Sequence, residues 1–142
     1  MYQTFRQCLN SFLESWRKSS LTELGEFISK DYKGREVTSK GIVDFGYDES
    51  IQGWEQGFKF VEENNAEWNI KEIAVLPLKD DENLVILSAT IDINGKSIGT
   101  SNLFFETFKK DNSTGGWKLN RSYVETGVLN ENINNIQFIQ TH

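Results

Sequence analysis

The spacing of apolar residues along the chain changes once, near Glu67. Before that point the apolar positions recur at helical spacing, and after it they alternate. Phe5, Cys8, Leu9, Phe12, Leu13 and Trp16 predict an amphipathic helix over residues 3–18, with Arg6, Asn10, Glu14 and Arg17 off the stripe. Ser20, with Glu23 three residues on, reads as a capping box for a second short helix whose apolar side is Leu21, Leu24, Phe27 and Ile28. Residues 31–47 hold β-like pieces around Gly34, Gly41 and Gly46, read here as a weak hairpin. Ser50 can cap a third helix to residue 65, with Ile51, Trp54, Phe58 and Val61 as its stripe. Gly53 and Gly57 sit beside that stripe, where glycine costs about 1 kcal/mol relative to alanine. They fit either the close approach of a neighbouring backbone or ligand, or simply a poor helix.

The alternating half predicts four antiparallel strands, at 67–78, 83–94, 97–109 and 117–126. Lys79 to Glu82 is a polar turn, and Asn94-Gly95 is a strong hairpin signal because a type I′ turn needs positive φ at both central residues. That turn sets Ile93 opposite Lys96, Ala89 opposite Thr100, Leu87 opposite Asn102 and Val85 opposite Phe104. One face then holds Val85, Leu87, Ala89, Asn102, Phe104, Glu106 and Phe108. The other holds Leu84, Ile86, Leu103 and Phe105. In the last strand, strict alternation puts Trp117, Leu119, Arg121, Tyr123 and Glu125 on one face. Pairing Trp117 beside Phe108 would bring Arg121 opposite Phe104, with Asn102 and Glu106 diagonal to it, and Tyr123 opposite Asn102. A slip of one residue would move every one of these side chains to the other face. An arginine, a tyrosine and a glutamate beside Trp and Leu imply a polar pocket or a satisfied ion pair. Residues 128–142 are Asn-rich and fit neither period. We divide the chain into a domain at 1–127 and a C-terminal tail or added element at 128–142.

The length of 142 residues suits one domain, and the content of four Trp, four Tyr and ten Phe is too aromatic for disorder. A net charge of −6 argues against a nucleic-acid surface and an anionic membrane. No apolar run approaches a membrane span, and the N-terminus carries no secretory pattern. A cytoplasmic protein is the expectation. Cys8 stands alone on the apolar stripe of the first helix, where a buried inert thiol is expected. Gly95-Lys96-Ser97 imitates the end of a phosphate-binding loop, but Thr90 stands where its first glycine belongs. Asp80, Asp81 and Glu82 lack calcium-loop spacing, and Asn112-Ser113-Thr114 is a glycosylation sequon without a secretion signal. With His142 as its sole histidine, the sequence offers neither a zinc cluster nor a Ser-His-Asp triad. We expect no cofactor and no metal.

Several of these features resemble the NTF2-like superfamily, which includes ketosteroid isomerase-like and SnoaL-like proteins. They are the aromatic first helix ending at Trp16, Lys30-Asp31-Tyr32 after the second helix, the helix with Trp54 and Phe58, and the ending Gly-Trp-Lys-Leu-Asn-Arg-Ser-Tyr-Val-Glu at 116–125. The resemblance implies an α+β cone, with three N-terminal helices packed on a curved, mostly antiparallel sheet and a pocket between them. It also implies a homodimer through the outer sheet face, here Leu84, Ile86, Leu103 and Phe105. It implies no single activity. SnoaL-like and related sequences often carry histidine in the final strand, where this chain has Arg121 and Tyr123.

Trp16, Tyr32, Tyr47, Trp54, Phe58, Asn102, Phe104, Glu106, Arg121 and Tyr123 are the candidate pocket. Its ligand would be small and apolar with one acidic or carbonyl group. One alternative is an isomerase or lyase with Glu106 as base and Tyr123 or Arg121 stabilising an enolate oxygen. An arginine beside that base would lower its pKa, which works against the chemistry. Another alternative is a dimeric interaction module with a filled core.

Overall fold

The computed structural model describes residues 4–139. The first residue of the expected first helix, Gln3, and the terminal His142 lie outside that range. Helix α1 (Phe5–Arg17) begins in a reciprocal cap: the Gln7 N–H donates to Thr4 Oγ1 at 3.1 Å and the Thr4 N–H to Gln7 Oε1 at 3.3 Å. Its stripe of Cys8, Leu9, Phe12, Leu13 and Trp16 is buried. Helix α2 (Leu21–Gly25) has half of the expected capping box. Ser20 Oγ accepts from the Glu23 N–H at 3.3 Å, while the Glu23 carboxylate pairs with Lys18 at 2.9 Å.

The weak hairpin is a full one. Strand β1 (Ile28–Thr38) turns into β2 (Gly41–Phe45) in antiparallel register. Helix α3 (Tyr47–Glu63) starts three residues before the expected cap, because the Gly46 N–H donates to Glu49 Oε2 at 3.3 Å. Ser50 is therefore inside the helix, and buried. Strands β3 (Ala66–Lys79), β4 (Glu82–Ile93), β5 (Lys96–Ser97), β6 (Thr100–Lys110) and β7 (Trp117–Leu129) follow. Helix α4 (Asn130–Asn134) then buries Ile133. The sheet order is β2-β1-β7-β6-β4-β3, with β5 on β4. β1 runs parallel to β7, and every other pair is antiparallel. The core lies where α1, α2 and the start of β1 meet Val85, Leu87, Ala89, Phe108 and Leu119 on the inner sheet face.

Two registers decide the site. The Asn94-Gly95 turn has positive φ at both residues and sets Ile93 opposite Lys96. Beyond Gly99, whose φ is +88°, the pairing is displaced by two residues, so Ala89 meets Asn102 and Val85 meets Glu106. A shift of two preserves the faces. The β6–β7 pairing differs from the expected one by an odd step. Phe108 pairs with Leu119, but Thr107 pairs with Arg121, leaving Asn120 as the extra residue of a bulge. Alternation therefore breaks at Asn120. Leu119 faces inward, Ser122 and Val124 continue the inner face, and Arg121, Tyr123 and Glu125 turn outward.

Candidate functional site: a buried carboxyl in an aromatic cavity

A cavity of about 390 Å³ lies between α1, α3 and the inner sheet face. Of the ten candidate residues, six line it: Trp16, Tyr32, Trp54, Asn102, Phe104 and Glu106. Phe58 is behind the wall, with ring centroids 5.8 Å from Trp54 and 6.2 Å from Trp68. Tyr47 is elsewhere, its hydroxyl accepting from Lys30 Nζ at 3.1 Å. Arg121 and Tyr123 lie on the opposite side of the sheet. Arg121 Nη1 donates to Glu82 Oε1 at 3.0 Å, and the Tyr123 hydroxyl donates to Glu125 Oε1 at 2.6 Å. The bulge at Asn120 is the physical reason for this correction.

The aromatic wall is built edge to face. Trp16 centres the cluster, with ring centroids 4.8 Å from Trp54, 5.1 Å from Phe104 and 5.9 Å from Trp68. Trp68 satisfies its indole by donating to Ser19 Oγ at 2.9 Å. Trp16 does not: it is fully buried, and its Nε1–H is the buried side-chain polar group left without a partner among the described residues. An unpaired buried donor costs about 1–3 kcal/mol, so an acceptor supplied from the cavity would be favoured there.

Glu106 is the polar centre. It is 1% exposed and points from β6 to the inner face, opposite Val85 on one side and Ser122 on the other. Ser122 Oγ donates to Glu106 Oε2 at 2.5 Å. The Tyr32 hydroxyl, on β1, lies near the Ser122 and Ser50 hydroxyls, both of which favour its charged form. Hydroxyls from α3, β1 and β7 thus gather beside the carboxyl on β6. Burial pushes the Glu106 carboxyl up to about 7, against the opposing effect of the Ser122 hydrogen bond. Burial also raises the Tyr32 hydroxyl, with the nearby Glu106 charge adding to it. Near neutral pH, Glu106 can therefore hold or release a proton at its Oε atoms, as a general acid or base must.

Glycine opens the space. A Cβ at Gly53 would meet nothing within 4 Å, so this position faces room rather than a packed neighbour. At Gly57 a Cβ would be in ordinary contact with the Trp68 ring, 3.7 Å away. Gly34 is different: a Cβ would lie 2.4 Å from Phe45 Cζ and 2.7 Å from the Tyr32 hydroxyl. Only glycine lets Phe45 close over β1 and leaves that hydroxyl in place.

Sequence reasoning missed Ser122, Ser50, Trp68, Glu36 and Glu49, all of which line the cavity. Trp68 was detectable, since it alternates with Ile70 on one face of β3. Ser122 was hidden by the bulge, and Ser50 was assigned to the cap of α3.

No protein-family model matches the chain, and no curated protein does. Solved structures do match. An NTF2-like protein of unknown function in nutrient uptake from Rhodospirillum rubrum is 12% identical, with a TM-score of 0.64 over 87% of this chain and 98% of that one. An NTF2-like protein from Cytophaga hutchinsonii is 12% identical, with a TM-score of 0.62 over 89% and 99%. A ketosteroid isomerase-like protein from Erwinia carotovora is 13% identical, with a TM-score of 0.59 over 85% and 92%. The chain has the NTF2-like α+β cone fold. Among the described residues, no helix is long and apolar enough to cross a membrane.

Proposed function

We propose that the protein binds a small, largely apolar molecule in the cavity between α3 and the sheet, and that Glu106 exchanges a proton with it. One observation carries this reading: a carboxyl 1% exposed, facing no cationic side chain among the described residues, on the wall of a roughly 390 Å³ aromatic cavity. A carboxylate is expensive to bury, so a site that keeps one without a counter-charge has a use for its proton. The orphaned Trp16 N–H supports an acceptor oxygen on the ligand. The objection that Arg121 would depress the base does not apply, because Arg121 is paired with Glu82 on the other side of the sheet. That supports the isomerase or lyase alternative alongside simple binding. The test is a small-molecule screen read by the indole signals of Trp16, Trp54 and Trp68, with Trp117, outside the cavity lining, as control. Ligands should move the first three and leave Trp117 unmoved; a screen that moves none of the three sinks the reading. For any ligand found, Glu106→Gln separates the alternatives: turnover lost with binding kept indicates proton transfer, and no turnover in either protein indicates binding alone.

A homodimer through the outer face is part of the same proposal. Leu84, Ile86, Leu103 and Phe105 are half-buried there, and the exposed Tyr123 ring packs on Phe105 at 6.0 Å. Sedimentation at micromolar concentration should show a dimer that Leu103→Glu dissociates. A wild-type monomer would refute it.

A further inference from the structure

The charged side chains lining the cavity are all of one sign. They are Glu49, Glu36 and Glu106, and they descend in exposure from an exposed residue through an intermediate one to a fully buried one. Neither lysine nor arginine lines it among the described residues. The cations on nearby β1 and β7 stay outside this lining, although Lys33, Arg35 and Arg121 border an adjoining cleft that Glu49 and Phe45 also line. Lys30 is on Tyr47, Arg35 holds Asp44 at 2.6 Å, Arg121 holds Glu82, and Lys33 is beside Arg121 on the outward register. Glu36 forms no side-chain hydrogen bond or ion pair in the described structure, although it lies between Val43 and Val124 on the inner face. Glu49 caps α3 with one oxygen only, at the long distance of 3.3 Å.

Three carboxyls around one apolar space, with no cation among its lining, oppose any anion entering it. The same space is walled by the rings of Trp16, Phe45, Trp54, Trp68 and Phe104, whose faces attract positive charge. We infer that the cavity takes an organic cation, an amine or quaternary ammonium group carried on an apolar body. This inference departs from the acidic or carbonyl group expected with Arg121 in the pocket, and it rests on the binding half of the function proposed above.

Three probes of similar size test it: benzyltrimethylammonium, its neutral carbon isostere neopentylbenzene, and phenylacetate. Each is titrated against the indole signals of Trp16, Trp54 and Trp68. The cation should bind about tenfold more tightly than the isostere, the combined effect of ring faces and partly solvated carboxylates. Phenylacetate should not bind. The double variant Glu36→Gln with Glu49→Gln, whose position 49 keeps an oxygen for the α3 cap, should weaken the cation about fivefold and leave the isostere unchanged. Equal or tighter binding of the isostere or of phenylacetate overturns the inference while the cavity reading stands. If none of the three moves the cavity indoles, the binding reading falls with it.

Discussion

Glu106 on β6 and Glu82 on neighbouring β4 are both almost hidden, at 1% and 6% exposure, yet they hold charge in opposite ways. Glu82 is on the outer side, where the Arg121 guanidinium, and after it Lys79, keep its carboxyl below the usual range. Glu106 is on the inner side with a serine hydroxyl as its hydrogen-bond partner, and its carboxyl rises to about 7. Burial raises the Glu106 carboxyl while the Arg121 hydrogen bond lowers that of Glu82, so depth and partner together set the charge. The partner was assigned by the bulge at Asn120. An unbroken β7 would have turned Arg121 toward the inner face, where Glu106 lies.

The contrast predicts two opposed slopes of stability with pH. Glu106 binds its proton more tightly folded than unfolded. Its contribution is complete below the ordinary value of 4.5 and is lost as pH rises from there to about 7, a total of roughly 3 kcal/mol. Glu82, depressed when folded, contributes above its unfolded pKa and loses that contribution as pH falls through its folded one. Denaturant unfolding should therefore show stability falling between pH 4.5 and 7, and Glu106→Gln should abolish that fall. A wild-type profile flat over this range would contradict the buried, unpaired carboxyl.

A smaller effect is expected at Gly34. Alanine there should cost about 2 kcal/mol in chemical denaturation, since Phe45 and the Tyr32 hydroxyl must both give way. Smaller again is Ser122→Ala, which removes the donor to Glu106 and should raise its NMR-observed pKa further, by about one unit. The smallest is the sharpest control. Arg121→Ala should let the Glu82 pKa climb back toward its ordinary value and leave the Glu106 titration where it was. Movement of Glu106 in that variant would mean the two sides of the sheet are electrostatically joined.

Much of the fold was legible in the sequence. The α1 stripe, the Asn94-Gly95 hairpin and the alternation of β4 and β6 depend on local spacing, which a single sequence displays. The two-residue displacement beyond Gly99 left the faces intact, so Asn102, Phe104 and Glu106 were placed on the inner side correctly. The β6–β7 register was not legible, because its connection is long and nothing in Lys118-Leu119-Asn120-Arg121 announces an extra residue. Nor was the parallel pairing of β1 with β7, since β1 is largely polar where it meets β7. The acidic residues Glu36 and Glu49 look in sequence like ordinary solvated charge.

That parallel pair has a consequence in time. Gly34 is hydrogen-bonded in register beside Ser122, 88 positions further along the chain. The lining around Glu106 draws on α3, β1, β6 and β7, so no contiguous fragment short of β7 holds the whole proposed site. Contacts this distant pay their loop-closure entropy before they are rewarded, and such topologies fold slowly. During synthesis the lone acid of β6 stays hydrated, ionised and ordinary. Its enclosed setting needs β7 beside it, so the proposed site cannot be complete before the final strand docks.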